Sequence, residues 1–237
     1  MSGEVRILIA GSEVGSYPKV LPLNSRFRSD LPLLKLQVDI DWNPRAPAQA
    51  LSSLEKRLVE LCPSLRRHEC RGHRRYHILC SDEQKETGRE PIEVSLALAH
   101  LLEHVLIDAL AFITSAPLVS GITGAHKDSA RRFDIFVECP DPSLAPLVVR
   151  LAVSWISALL DGTSLDGAGR PTLELVRVLY QKRSEPLPIE KMAEQLGREP
   201  DAVRACLLWL EQNGFARKEP CAKNRRERDC YRLQGRS

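Results

Sequence analysis

Leu34-Lys35-Leu36-Gln37-Val38-Asp39-Ile40 alternates apolar and polar residues without a break. Successive side chains of an extended chain point to opposite faces, so the four apolar residues share one face and Lys35, Gln37 and Asp39 the other. Such a strand is half buried: one face demands a layer of helices and the other meets water. The flanking sequence supplies the remaining parts. Val5-Arg6-Ile7-Leu8-Ile9-Ala10 and Phe133-Asp134-Ile135-Phe136-Val137-Glu138 read as further strands. Pro47 to Leu61 reads as a helix, because Leu51, Leu54, Leu58 and Leu61 recur at spacings of three and four. Helices are also expected from about Ile92 to Thr114 and from Ser143 to Leu160, with a strand at Tyr76 to Cys80 and a charged loop from Ser81 to Glu90. The expected fold class over residues 1–160 is α+β, a small sheet with packed helices.

A chain of 237 residues with 43% apolar content has room for one large or two modest cores. Its start, Met1-Ser2-Gly3-Glu4-Val5-Arg6, lacks the basic-then-hydrophobic layout of an export signal. Ile92 to Val119 is apolar, but Glu93, His100, Glu103, His104 and Asp108 interrupt it, so no membrane span is expected. The seven cysteines are odd in number and irregularly spaced, which reads as reduced thiols in the cytoplasm. His68, Cys70, His73, His77 and Cys80 match no common structural zinc spacing and are expected not to hold a metal.

Asp161 to Pro171 holds three glycines and a proline with no apolar periodicity and reads as a linker over residues 161–171. Beyond it, helices are expected at Leu173 to Gln181, Ile189 to Leu196 and Asp201 to Asn213, the last closed by Gly214. Phe215 to Lys218 and Tyr231 to Leu233 then pair around the loop Lys223 to Arg228, which makes residues 172–237 a winged helix-turn-helix domain. From Pro171 onward 14 Lys and Arg face 10 Asp and Glu, a balance of +4, against 20 and 21 in the first 170 residues. The basic surplus suits double-stranded DNA: Arg198 and Arg204 would reach the groove, and Arg217, Lys218, Lys223, Arg225, Arg226 and Arg228 the phosphates. Glu199, Asp201 and Glu211 in or beside the same helix oppose this, and protein docking is the open alternative.

His100-Leu101-Leu102-Glu103-His104 carries the chemistry. Two His four apart on a helix lie about 6 Å from each other along the axis, and both can reach one Zn²⁺ at about 2.0–2.1 Å. Neutral imidazoles hold the metal, the metal acidifies its water, and the carboxylate takes the proton. A pair of half-buried core histidines is the plain alternative. Asp108 lies two turns from His100, about 12 Å along the axis, and is expected to orient His104 or to be an ordinary polar helix residue.

The segment from roughly Leu34 to Leu160 resembles the N-terminal domain of cyanophycin synthetase. The similarity runs through the strand Leu36 to Ile40, Leu58-Val59-Glu60-Leu61-Cys62-Pro63-Ser64-Leu65-Arg66-Arg67-His68-Glu69-Cys70, the helix His100-Leu101-Leu102-Glu103-His104-Val105, and the strand Phe133 to Glu138 with the helix after it. In some members of that family this domain is a zinc metallopeptidase that cuts an Asp–Arg polymer into primers. The resemblance implies His100 and His104 as zinc ligands, Glu103 as general base and Glu138 as third ligand. A carboxylate at a strand end approaches a metal from a direction the helix cannot supply, which agrees with the last assignment. The family's ATP-grasp and Mur-ligase-like domains have no counterpart here, no GxxxxGK[ST] loop occurs, and Gly72 to Lys85 is His- and Arg-rich where the family tends to be glycine-rich.

The expected function is thus a cytoplasmic zinc-dependent peptidase or amidohydrolase with a winged-helix targeting domain. Its expected partners are a peptide or protein substrate and double-stranded DNA, with a homo-oligomer left open. The alternative is a winged-helix transcription regulator whose zincin-like domain is a non-catalytic sensor or oligomerisation module.

Overall fold

A computed structural model describes residues 5–41, 48–62, 65, 94–165, 169–220 and 229–234. The strand expected at Tyr76 to Cys80, the loop after it, Ile92, and the His68 to Cys80 cluster lie outside these residues, as do Lys223, Arg225, Arg226 and Arg228.

The alternating segment is β2 (Leu33–Asp41), flanked by β1 (Arg6–Gly15) and β4 (Ser129–Glu138), with β3 (Gly121–His126) beyond β4. The four strands are antiparallel in the order β1-β2-β4-β3. Leu34, Leu36, Val38 and Ile40 of β2 and Phe133, Ile135 and Val137 of β4 are all buried. Facing them are α1 (Ala48–Leu61), α2 (Val94–Thr114) and α3 (Ala145–Leu160). The other face is polar, and Asp39 there takes a two-pronged hydrogen bond from Arg132 at 2.8 and 2.9 Å.

The central element is α2. Leu98, Leu101, Leu102, Val105, Leu106 and Leu110 are buried around its circumference, as expected of a helix with no solvent face. Residues 94–114 and 142–160 are long and apolar enough to cross a membrane, but here both pack in the core.

The C-terminal unit consists of α4 (Arg170–Gln181), β5 (Leu187–Pro188), α5 (Ile189–Leu196), α6 (Pro200–Gln212), β6 (Ala216–Pro220) and β7 (Asp229–Leu233). Its strands form a small antiparallel sheet in the order β5-β7-β6. Gly197 ends α5 at φ 60°, a left-handed conformation that a side chain would disfavour.

Two expectations change. Arg170 and Pro171, read as linker, open α4, where a proline in the first turn costs no hydrogen bond. Residues on the two sides of the linker also touch. Arg170 lies over the Phe112 ring at 4.1 Å, and Asp141 accepts from the Tyr180 hydroxyl at 3.1 Å and Arg183 at 2.7 Å. The second change concerns the thiols. Cys62, Cys139 and Cys206 are free and buried, but Cys230 is disulfide-bonded, its partner outside the described residues. Irregular spacing along a chain says little about which sulfurs meet in space.

Candidate functional site

Helical spacing delivers His100 and His104 to one side of α2. Their Nε2 atoms are 3.0 Å apart, with ring centroids at 4.8 Å and the planes tilted by 50°. His104 is buried, and 27% of the His100 side chain is exposed. Two imidazoles on one tetrahedral zinc, at about 2.0–2.1 Å each, need their nitrogens about 3.3 Å apart. The pair therefore fits as two donors with a shift of a few tenths of an ångström.

Glu103 is buried beside them. Its Oε2 accepts a hydrogen bond from Thr123 Oγ1 at 2.5 Å and lies 3.6 Å from His100 Nδ1. The two ring nitrogens of His100 thus have different neighbours, Nε2 facing His104 and Nδ1 facing Glu103. Burial raises the Glu103 pKa from 4.5 to about 7, against the lowering effect of the Thr123 hydroxyl. A carboxyl that titrates near neutrality suits a general base.

The close approach of α2 to β3 depends on Gly121. A Cβ there would stand 2.8 Å from Glu103 Oε1 and 3.0 Å from both Glu103 Cγ and Ile107 Cδ1. Gly121→Ala is therefore expected to displace the Glu103 carboxylate and cost about 1–3 kcal/mol, as other overpacking changes do. A urea midpoint equal to that of the wild type would contradict this packing.

Glu138 is in another place. Phe133, Ile135 and Val137 face α2, so alternation sends Asp134, Phe136 and Glu138 to the opposite side of the sheet. There Glu138 Oε1 accepts from the Arg28 backbone N–H at 2.7 Å and from Arg28 Nε at 3.4 Å. Its Oε2 accepts from the Ser120 N–H at 2.9 Å. The structure brings His100, His104 and Glu103 together and gives Glu138 a different set of partners. Among the described residues no group of three or more His, Cys, Asp or Glu is arranged to hold a metal.

Asp108 is buried one turn beyond His104. Its partners include the Cys62 thiol, whose pKa burial and this carboxylate push well up, and Arg170, whose Nη1 is 3.9 Å from Oδ2. Arg170 also donates to the Leu61 carbonyl at 3.1 Å, so Asp108 joins the His-bearing helix to the end of α1 and the start of α4.

The described candidates for nucleic-acid contact all have acidic partners. Arg198 meets Glu174 at 2.8 Å, Arg204 meets Asp201 at 2.6 Å, Arg217 meets Glu219 at 2.5 Å and Lys218 meets Asp229 at 2.7 Å. The outward side of α6 presents Asp201, Ala202, Arg204, Ala205, Leu208, Glu211 and Gln212, a nearly charge-balanced surface with Leu208 55% exposed.

Sequence reasoning missed Thr123 and Gly121, because Gly121-Ile122-Thr123-Gly124-Ala125-His126 has too few apolar residues to read as a strand. The signal available was its position after α2 and before β4, where a fourth strand closes the sheet. No protein-family model matches the chain, and no curated protein matches it either.

Proposed function

We propose that residues 1–160 carry a zinc-dependent peptidase or amidohydrolase site, similar in kind to the N-terminal domain of cyanophycin synthetase. The observation that supports this reading is the His100 and His104 pair at 3.0 Å with the buried carboxylate of Glu103 beside it. His100 and His104 would hold the metal. Zinc held there supplies Lewis acidity and an acidified water. Glu103 would take a proton from the water that adds to the amide carbon and pass it to the amine nitrogen as the C–N bond breaks, while the Thr123 hydroxyl fixes Oε2. Hydrolytic zinc ordinarily takes three protein donors, and among the described residues no group of three His, Cys, Asp or Glu is arranged to hold a metal, the carboxylate beside the pair being Glu103.

The experiment is the metal content of protein purified without added metal, for wild type and His104→Ala, followed by peptide hydrolysis by Glu103→Ala. The expected result is about one zinc per chain that His104→Ala loses, and hydrolysis that Glu103→Ala loses with its zinc retained. A wild type that takes up no zinc, or hydrolysis unchanged in Glu103→Ala, ends this reading.

The second reading is a winged-helix regulator, and it draws on the order of α4, β5, α5, α6 and the β6 and β7 hairpin. With Arg198, Arg204, Arg217 and Lys218 already paired to acids, phosphate contact would fall mainly to Lys223, Arg225, Arg226 and Arg228. Duplex affinity unchanged by the double substitution Arg225→Ala and Arg226→Ala counts against it.

A further inference from the structure

β3 is an edge strand, with no strand paired on its far side among the described residues. The Glu138 amide donates to the Ser120 carbonyl at 2.9 Å, and this fixes which residues point which way. Residues of an antiparallel ladder alternate between bonding the partner strand and turning away from it. Ser120, Ile122 and Gly124 therefore spend their N–H and C=O groups on β4, while Gly121, Thr123 and Ala125 direct theirs off the edge. The Gly121 carbonyl agrees with this phase: Asn24 Nδ2 reaches it from outside the sheet at 2.8 Å. Thr123 and Ala125 have no further backbone partner among the described residues.

The side chain of Thr123 donates to Glu103, so one residue links the open edge to the buried carboxylate. Ile107 and Glu103 meet Gly121, and Glu103 also meets Thr123, so α2 and β3 run in opposite directions and His100 lies toward the Ala125 end. Gly124 and Ala125 are exposed and small, and pairing with β4 is regular from Gly121 to Ala125. The opposite edge, β1, is broken by a register shift between Ile9 and Gly11, a feature that discourages pairing.

We propose that the edge of β3 binds the substrate of this site as a fifth strand: an extended, unstructured polypeptide held by its main chain on Thr123 and Ala125. This rests on the reading of His100, His104 and Glu103 as a hydrolytic site. Main-chain pairing gives affinity with little dependence on side chains, and it lays an amide bond along the line from Thr123 toward His100. The substrate class is then a flexible peptide segment, and a folded protein is excluded until it is opened.

The test uses the full chain carrying Glu103→Gln and a pool of fluorescein-labelled, proline-free dodecapeptides, with anisotropy as the readout. Ala125→Pro removes an outward N–H without touching the ladder to β4, and it is expected to weaken binding about 10-fold. Peptides N-methylated at alternate positions are expected to lose binding in one phase and keep it in the other, a measurement that needs no further variant. Absence of binding, or binding indifferent to both changes, overturns the edge site. Binding with the alternating pattern, but no cleavage by wild type, keeps the edge site and ends the hydrolase reading. Cleavage indifferent to Ala125→Pro and to N-methylation does the reverse.

Discussion

Glu138→Ala is expected to lower the unfolding free energy by about 2–4 kcal/mol, because the buried carboxylate is the acceptor of two backbone N–H groups. The carboxylate is fully buried and accepts the backbone N–H groups of Arg28 and Ser120. Its removal leaves the enclosed Ser120 N–H without an acceptor, at about 1–3 kcal/mol, and the half-buried Arg28 N–H at less. It also loosens residues 24–28 from the segment that leads into β3, where Arg28 donates to the Leu118 carbonyl at 3.2 Å. Urea denaturation with a chelator present measures the loss. A zinc ligand would behave otherwise: its removal would empty the metal site, and the stability difference would vanish once both proteins are stripped of metal.

Glu103→Gln is expected to stabilise the metal-stripped protein at pH 8 by about 3 kcal/mol and to change it little at pH 4. Burial raises the carboxyl from 4.5 in the unfolded chain to about 7 in the folded one. Below the lower value both states are protonated, and the folded state is not penalised. Between the two, the unfolded chain gives up its proton while the folded chain keeps it, so stability falls as pH rises. Above about 7 the loss is complete, at about 1.4 kcal/mol for each pH unit between the two values. Glutamine never ionises and escapes this loss. Urea midpoints at the two pH values measure it, and parallel curves for wild type and variant would show that Glu103 titrates normally. The residue that the proposed chemistry requires is then one that the fold would rather see neutral.

The sheet and its helical cover were legible because β2 alternates strictly and α2 is apolar on most sides. The helix boundaries followed from caps and from leucine spacing, as at Ala48–Leu61 and Ile189–Leu196. The histidine pair was legible for a similar reason: neighbours on a helix face are set by local geometry. Everything that depends on distant segments was not. Thr123 and Gly121 meet Glu103 only because β3 folds back beneath α2. The acidic partners of Arg198 and Lys218 come from α4 and β7, so these two cations are paired, and the basic surplus rests with Lys223, Arg225, Arg226 and Arg228. Glu138 is the instructive case, since the alternation of Phe133, Ile135 and Val137 already assigned it to the face away from the histidines.

α4 buries Leu173, Leu175, Val176 and Leu179, more than one stripe of its surface, because it lies against α2 on one side and against α5 and α6 on the other. A helix common to two layers cannot leave either without exposing apolar surface to water. The two halves are therefore expected to unfold together, and heat or denaturant should report a single step with coincident probes. Any ligand that tightens one half is then expected to raise the resistance of the other to proteolysis.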